Sequence, residues 1–122
     1  MKRLQYKNNK GFTIVEVITI ITILGILATI GYFTISDWRL RTAKAEVASD
    51  LNGVASAMES ARTFSSGYPA SIPTTFKASA NVTVTLRSSS STAYCAEAAS
   101  KALPSVIYKV TNANKTPTQG TC

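Results

Sequence analysis

The period of hydrophobicity changes along the chain, and each change predicts an element. From Val17 to Ser36 there are 20 residues with no charge. At about 1.5 Å of rise per residue, a helix of that length spans a hydrocarbon core of about 30 Å. Thr13, Thr19, Thr22 and Thr29 are compatible with helix, because a threonine hydroxyl can bond back to a carbonyl of the preceding turn. Beyond Asp37 and Trp38 the pattern becomes one-sided. Leu40, Ala43, Val47, Leu51, Val54, Met58 and Ala61 recur at steps of three and four. Lys44, Glu46, Asp50 and Glu59 fall off that stripe, so the segment reads as amphipathic. No proline occurs between Phe12 and Tyr68. The pattern therefore predicts one helix from about Phe12 to Phe64, with Trp38 at the level of a membrane–water interface. Its second half needs a surface to bury the stripe. A coiled-coil seam is the alternative, but the stripe is only about three heptads long.

Ser65-Ser66-Gly67-Tyr68-Pro69 ends the helix, since glycine suits the position past the last turn and proline cannot continue it. Tyr68 to Lys77 reads as loop. Asn81-Val82-Thr83-Val84-Thr85-Leu86-Arg87 alternates strictly and reads as a half-buried strand. The serines 88–91 read as a turn. Thr92 to Ala98 reads as a second strand, although its alanines also allow a short helix. Ser105 to Thr111, rich in β-branched residues and tyrosine, reads as a third. The tail from Asn112 to Cys122 is turn-rich. About three strands laid on an amphipathic helix make an α+β lobe with a small core.

Charge divides the chain further. The segment 1–11 holds Lys2, Arg3, Lys7 and Lys10 and no acid, which is +4 of the formal +7. Residues 12–63 hold four bases and five acids, and residues 64–122 hold five bases and one acid, Glu97. The basic N-terminal flank favours a cytoplasmic leader. Arg39, Arg41 and Lys44 on the other flank weaken that bias. With the leader inside, Cys95 and Cys122 lie outside the cell, where a disulfide can form; two free thiols are the alternative.

Glu16 stands at the mouth of the apolar run, where a carboxylate asks for a cationic partner. Cutting the chain after Gly11 would supply one, the free α-amine of Phe12. Gly11-Phe12-Thr13-x-x-Glu16, behind a basic leader and ahead of an apolar run, resembles the class III signal of type IV prepilins and pseudopilins. The resemblance implies a pilin fold. It implies cleavage between Gly11 and Phe12 by prepilin peptidase, N-methylation of Phe12, and Glu16 as the carboxylate that registers subunits in a helical homo-oligomeric filament. It divides the chain into a cleaved leader (1–11), a transmembrane and polymerisation helix (12–36), an amphipathic continuation (37–65) and a β lobe (66–122). The precursor would sit in the cytoplasmic membrane, leader inside, and pass through a pilus assembly platform into an extracellular pilus. In such lobes a cysteine pair near the C-terminus commonly closes a loop, here Cys95 with Cys122. Many relatives carry a proline in the apolar run, where the helix melts on assembly. This chain has none there, and Gly25 and Gly31 stand for either close packing or the usual glycine content of membrane helices.

Chemistry is hard to assemble from this composition. No histidine is present, Cys-x-x-Cys spacing is absent, and the glycines are scattered, so no zinc site, Cys–His pair or phosphate loop is expected. One acid in the lobe does not suit a paired-carboxylate enzyme or a calcium site. Neither catalysis, metal nor cofactor is expected. Two Asn-x-Thr triplets, at Asn81 and Asn114, match a glycosylation pattern but carry little weight alone. Lys77, Arg87, Lys101, Lys109 and Lys115 form the remaining candidate set. They are either ordinary solvated charge or the anion-binding surface of a competence-type or minor pilin that takes DNA.

Overall fold

Helix formation starts where Thr13 supplies a cap. In the computed structural model, which describes residues 11–122, α1 runs from Ile14 to Phe64. The basic leader up to Lys10 lies outside the described residues. Four strands follow in chain order, β1 (Val82–Ser89), β2 (Tyr94–Ser100), β3 (Ile107–Thr111) and β4 (Thr118–Gln119). They form one antiparallel meander in the order β1-β2-β3-β4. The fold is α+β, with a long N-terminal helix packed on an antiparallel sheet. The chain divides between Asp37 and Trp38 into two compact units, and α1 contributes to both.

In the first unit the helix is apolar on every side. Thr19, Thr22 and Thr29 donate their hydroxyls to the Val15, Ile18 and Ile26 carbonyls at 2.8, 2.8 and 2.7 Å, as the threonine argument requires. Helical structure continues through Gly25 and Gly31. Apart from the adjoining helix backbone and chain neighbours, no described atom lies within 4 Å of where a Cβ would stand at either glycine.

The second unit has the core. Val47, Leu51, Val54 and Met58 are fully covered on one face of α1. They cluster with Val82, Tyr94, Ala96, Ala98, Val106 and Val110, and Val84, Leu86 and Tyr108 pack at the edge. Ala96 and Ala98 lie on β2, one of the two interior strands, and their small side chains leave room for the larger ones of α1. The stripe is wider than the spacing argument suggests, because Ala55 is buried beside Val54.

One open choice is decided, and three local expectations need correction. Thr92 to Ala98 contributes to a strand, not a helix, and that strand begins at Tyr94. With β1 paired on one side and β3 on the other, its ladder bonds outweigh alanine's weak preference for strand. Ser88 and Ser89 belong to β1, and the turn is Ser90 to Ala93, closed by Ser90 N–H on the Ala93 carbonyl at 2.8 Å. The tail forms the short β4 beside β3, with Lys109 opposite Thr118. Asp50 is not on the solvated face. It is buried, and its carboxylate accepts Ser79 N–H and Ser79 Oγ–H, both at 2.8 Å. Those bonds fasten the long connection between α1 and β1 to the helix.

Two positions in this lobe give direct tests. A Cβ on Gly67 would stand 2.7 Å from Ser91 Cα, so backbone would have to move. Gly67→Ala should therefore destabilise the oxidised full chain in detergent by about 1–3 kcal/mol, read as a lower denaturation midpoint. Tyr94 is the opposite case. Its ring is buried edge-on to Tyr68 at 4.7 Å, and its hydroxyl makes no hydrogen bond among the described residues. An unsatisfied buried hydroxyl costs about 1–3 kcal/mol. Tyr94→Phe should leave the midpoint unchanged or raise it, and a clear loss of stability would show that the hydroxyl has a partner in solution.

Candidate functional site: the capped start of the helix and the charges of the lobe

Glu16 is held by the residue that starts its own helix. Thr13 N–H donates to Glu16 Oε2 at 2.8 Å, and Thr13 Oγ1–H donates to the same oxygen at 2.9 Å. Thr13 Oγ1 also accepts Glu16 N–H at 3.3 Å. This is a capping box: threonine at the cap and glutamate three residues on satisfy two otherwise orphaned backbone donors reciprocally. Thr13 therefore does not bond back within a preceding turn, as the helical reading of it assumes. The Thr-x-x-Glu spacing before an apolar run carries this signal in the sequence. Both Thr13 donors, the backbone N–H and the hydroxyl, fall on Oε2, so among the described residues Oε1 stays open to another donor. Gly11, Phe12 and Glu16 are all exposed, Phe12 at 82%.

The apolar segment behind this cap is left uncovered by the described residues of its own unit. Ile18, Ile21, Leu24, Leu27 and Ile30 each remain more than half exposed. So large an apolar surface marks a site of contact with lipid or protein. By length and composition α1 can cross a membrane.

The five basic lobe residues do not form one free patch. Arg87 is taken up by Glu97, to which its guanidinium is both hydrogen-bonded and ion-paired. Lys115 Nζ lies 3.3 Å from Glu59. Lys101 Nζ donates to the Ala80 carbonyl at 2.8 Å. Lys77 and Lys109 make no ion pair among the described residues. The sequence left Glu97 as a lone acid; the fold makes it the centre of a cluster. The ladder shifts register between Leu86 and Ser88, so Arg87 sits at a bulge and is re-aimed across the strands. The tail returns over the same face, Cys95 is bonded to Cys122, and Cys122 N–H donates to Glu97 Oε2 at 3.3 Å.

Glu59 anchors a second cluster at the far end of α1. It accepts the Tyr68 hydroxyl at 2.7 Å, and Arg62 stands over the Tyr68 ring at 5.1 Å. The Tyr68 hydroxyl bond holds the Glu59 carboxyl below the usual range, aided by Lys115 and Arg62 and opposed by burial. Burial and the neighbouring Glu59 raise Tyr68. Burial, with smaller effects from Glu59 and Tyr68, pushes Tyr94 up to about 12.

Glu97 has the same direction from a different partner. The Arg87 hydrogen bond lowers its carboxyl, the Cys122 N–H adds to that, and burial opposes both. In the unfolded chain a glutamate titrates near about 4.3. The ionised form therefore stabilises the fold, fully above that value, and the contribution is lost as pH falls through the lower folded value. Denaturation midpoints of the oxidised chain should fall between about pH 5 and pH 3, and Glu97→Gln should flatten that slope. An unchanged slope would assign the acid sensitivity to Glu59 or other groups.

Comparison with known proteins bears on the N-terminal segment. Residues 6–32 match the model of the prokaryotic N-terminal methylation motif. No curated protein matches the chain. The matched segment covers Gly11, Phe12 and the capping pair Thr13 and Glu16, and ends within the uncovered apolar helix. A methylation motif that leads into a long helix packed on an antiparallel sheet is consistent with the type IV pilin and pseudopilin family.

Proposed function

We propose that the chain is a structural subunit of a type IV pilus-like filament. Prepilin peptidase cuts it after Gly11 and methylates Phe12. The segment 12–36 then holds the subunit in the cytoplasmic membrane with the lobe outside, until an assembly platform draws it into the filament. The observation that carries this reading is the methylation motif at residues 6–32 running into an apolar helix that its own unit leaves uncovered. Such a surface is stable in lipid or against other copies of itself. Moving it from one to the other exchanges two apolar surroundings, so packing and polar contacts decide the register.

Glu16 is the polar contact in that exchange. Cleavage creates an amine on Phe12, and methylation leaves it basic. Both the amine and the Glu16 carboxylate are expensive in an apolar filament core unless paired. The open Oε1 of Glu16 supports a further contact beyond the Thr13 cap. In a staggered filament the amine of an incoming subunit meets Glu16 of its neighbour, and the low dielectric makes that contact strong and position-specific. A misregistered subunit leaves two charges unpaired.

Two variants test this function. Glu16→Ala should insert in the membrane and be cut after Gly11, yet lower the yield of sheared filaments about tenfold or more, since one partner of a desolvated pair is lost. Glu16→Gln should behave alike, because the amide keeps the shape without the charge. Wild-type filament yield from Glu16→Ala would remove the register role, and loss of cleavage would make Glu16 a peptidase contact instead. Gly11→Val should block the small-residue subsite that the prepilin resemblance implies. That variant should accumulate with its leader attached, as mass spectrometry of the membrane fraction reads directly. Mature-sized protein in normal amounts would place the cut elsewhere.

A further inference from the structure

We infer that the cleft beside Trp38 and Arg39 binds the headgroup of a zwitterionic phospholipid that carries a primary ammonium, of the phosphatidylethanolamine type. The cleft measures about 300 Å³, at the small end of ligand pockets. One wall is α1, with Trp38, Arg39, Ala43 and Glu46; the other is the end of the sheet, with Asn81 and Leu103. That second wall is preformed. Lys101 N–H bonds the Asn81 carbonyl at 2.8 Å, and Leu103 N–H bonds Ser100 Oγ at 3.3 Å.

The charges match a headgroup in kind and in order. Arg39 and Glu46 line the same cleft, seven residues apart on one helix, and neither forms an ion pair among the described residues. Their separation along the axis is about 10 Å, too far for them to neutralise each other directly as neighbouring pairs on a helix do. Arg39 comes three residues after the charge-free run ends at Ser36, which puts it about 4.5 Å further along the helix. That is the depth of the headgroup layer, where phospholipid phosphates lie. A guanidinium suits a phosphate by its paired donors. Glu46 lies further from the membrane, where the ammonium of an ethanolamine headgroup extends. Helical side chains lean toward the N-terminus, so Glu46 leans back toward the headgroup. Trp38 is exposed at 66% and supplies an apolar ring at the interface. An anionic headgroup without an amine would leave Glu46 unanswered, so the cleft discriminates between lipids of similar size. The inference rests on the membrane placement proposed above.

Trp38 is the only tryptophan of the chain, so its fluorescence reports on this cleft. The full chain in detergent micelles is titrated with phosphatidylethanolamine, phosphatidylglycerol and diacylglycerol. A saturable emission shift at the lowest concentration is expected for phosphatidylethanolamine. Arg39→Ala should weaken both phospholipids about tenfold. Glu46→Gln should weaken phosphatidylethanolamine by about the same factor and leave phosphatidylglycerol unchanged, erasing the preference. The lobe's denaturation midpoint shows separately that each variant folds. Equal response to diacylglycerol, or wild-type titrations from both variants, would overturn the inference. So would a shift that follows protein concentration instead of lipid, which would make the occupant a second copy. Equally tight binding of water-soluble phosphoethanolamine would make it a free phosphoester. Flotation of the chain with vesicles separates the two levels. A chain that floats but ignores headgroups defeats this inference alone, and a chain that does not float defeats the membrane reading with it.

Discussion

Burial of one face of α1 on the sheet is the interaction on which the lobe depends. Val47, Leu51, Val54 and Met58 have no exposed surface, and each such side chain contributes about 1.5–3 kcal/mol relative to exposure. The strands cannot replace that contribution by pairing among themselves, because their inward residues, Val82, Tyr94, Ala96, Ala98 and Val110, belong to the same buried cluster as the helix stripe. The core is small for its chain length, so supplementary ties matter. The Cys95–Cys122 bond closes a separation of 27 residues, worth about 3–4 kcal/mol in the chain-entropy model. Asp50 does similar work for the connection ahead of β1 by capturing Ser79.

Charge in the lobe is organised around its few acids. Glu97 and Glu59 each gather a base and a neutral donor, Arg87 with Cys122 N–H and Lys115 with the Tyr68 hydroxyl. A nearly buried carboxylate such as Glu97 is costly unless its oxygens are satisfied, and here both are. The formal excess of positive charge therefore overstates the free positive surface. Only Lys77 and Lys109 of the five candidate anion contacts stay clear of a described partner in this arrangement.

One helix serves two solvents. Up to Ser36 it is apolar all round and none of its described side chains is buried; from Ala43 to Met58 only one face is buried. The polar exception in the apolar segment, Glu16, is accommodated because Thr13 turns it into a cap. A carboxylate already engaged at one oxygen is less exposed to the cost of burial, and still able to take a cation at the other. That combination suits a residue proposed to pass from lipid into a filament.

Local period and short motifs were enough to establish much of this protein. The uninterrupted apolar run, the three-and-four spacing from Leu40 to Ala61 and the alternation from Val82 to Leu86 each require only neighbours a few residues apart. So does the Gly-Phe-Thr-x-x-Glu signal, and the Thr13 cap was readable there too from its spacing to Glu16. Partners brought from a distance decided the rest. Thr92 to Ala98 is equivocal alone, and from Tyr94 on it is strand because β1 and β3 pair on both its edges. Asp50 looks like a surface charge until Ser79, 29 residues on, reaches it. Arg87 looks like a free cation until a bulge and the returning tail set Glu97 beneath it. Side-chain period reports which face an element buries, but a buried charge is stabilised by whatever the tertiary fold sets against it, and no local pattern encodes that.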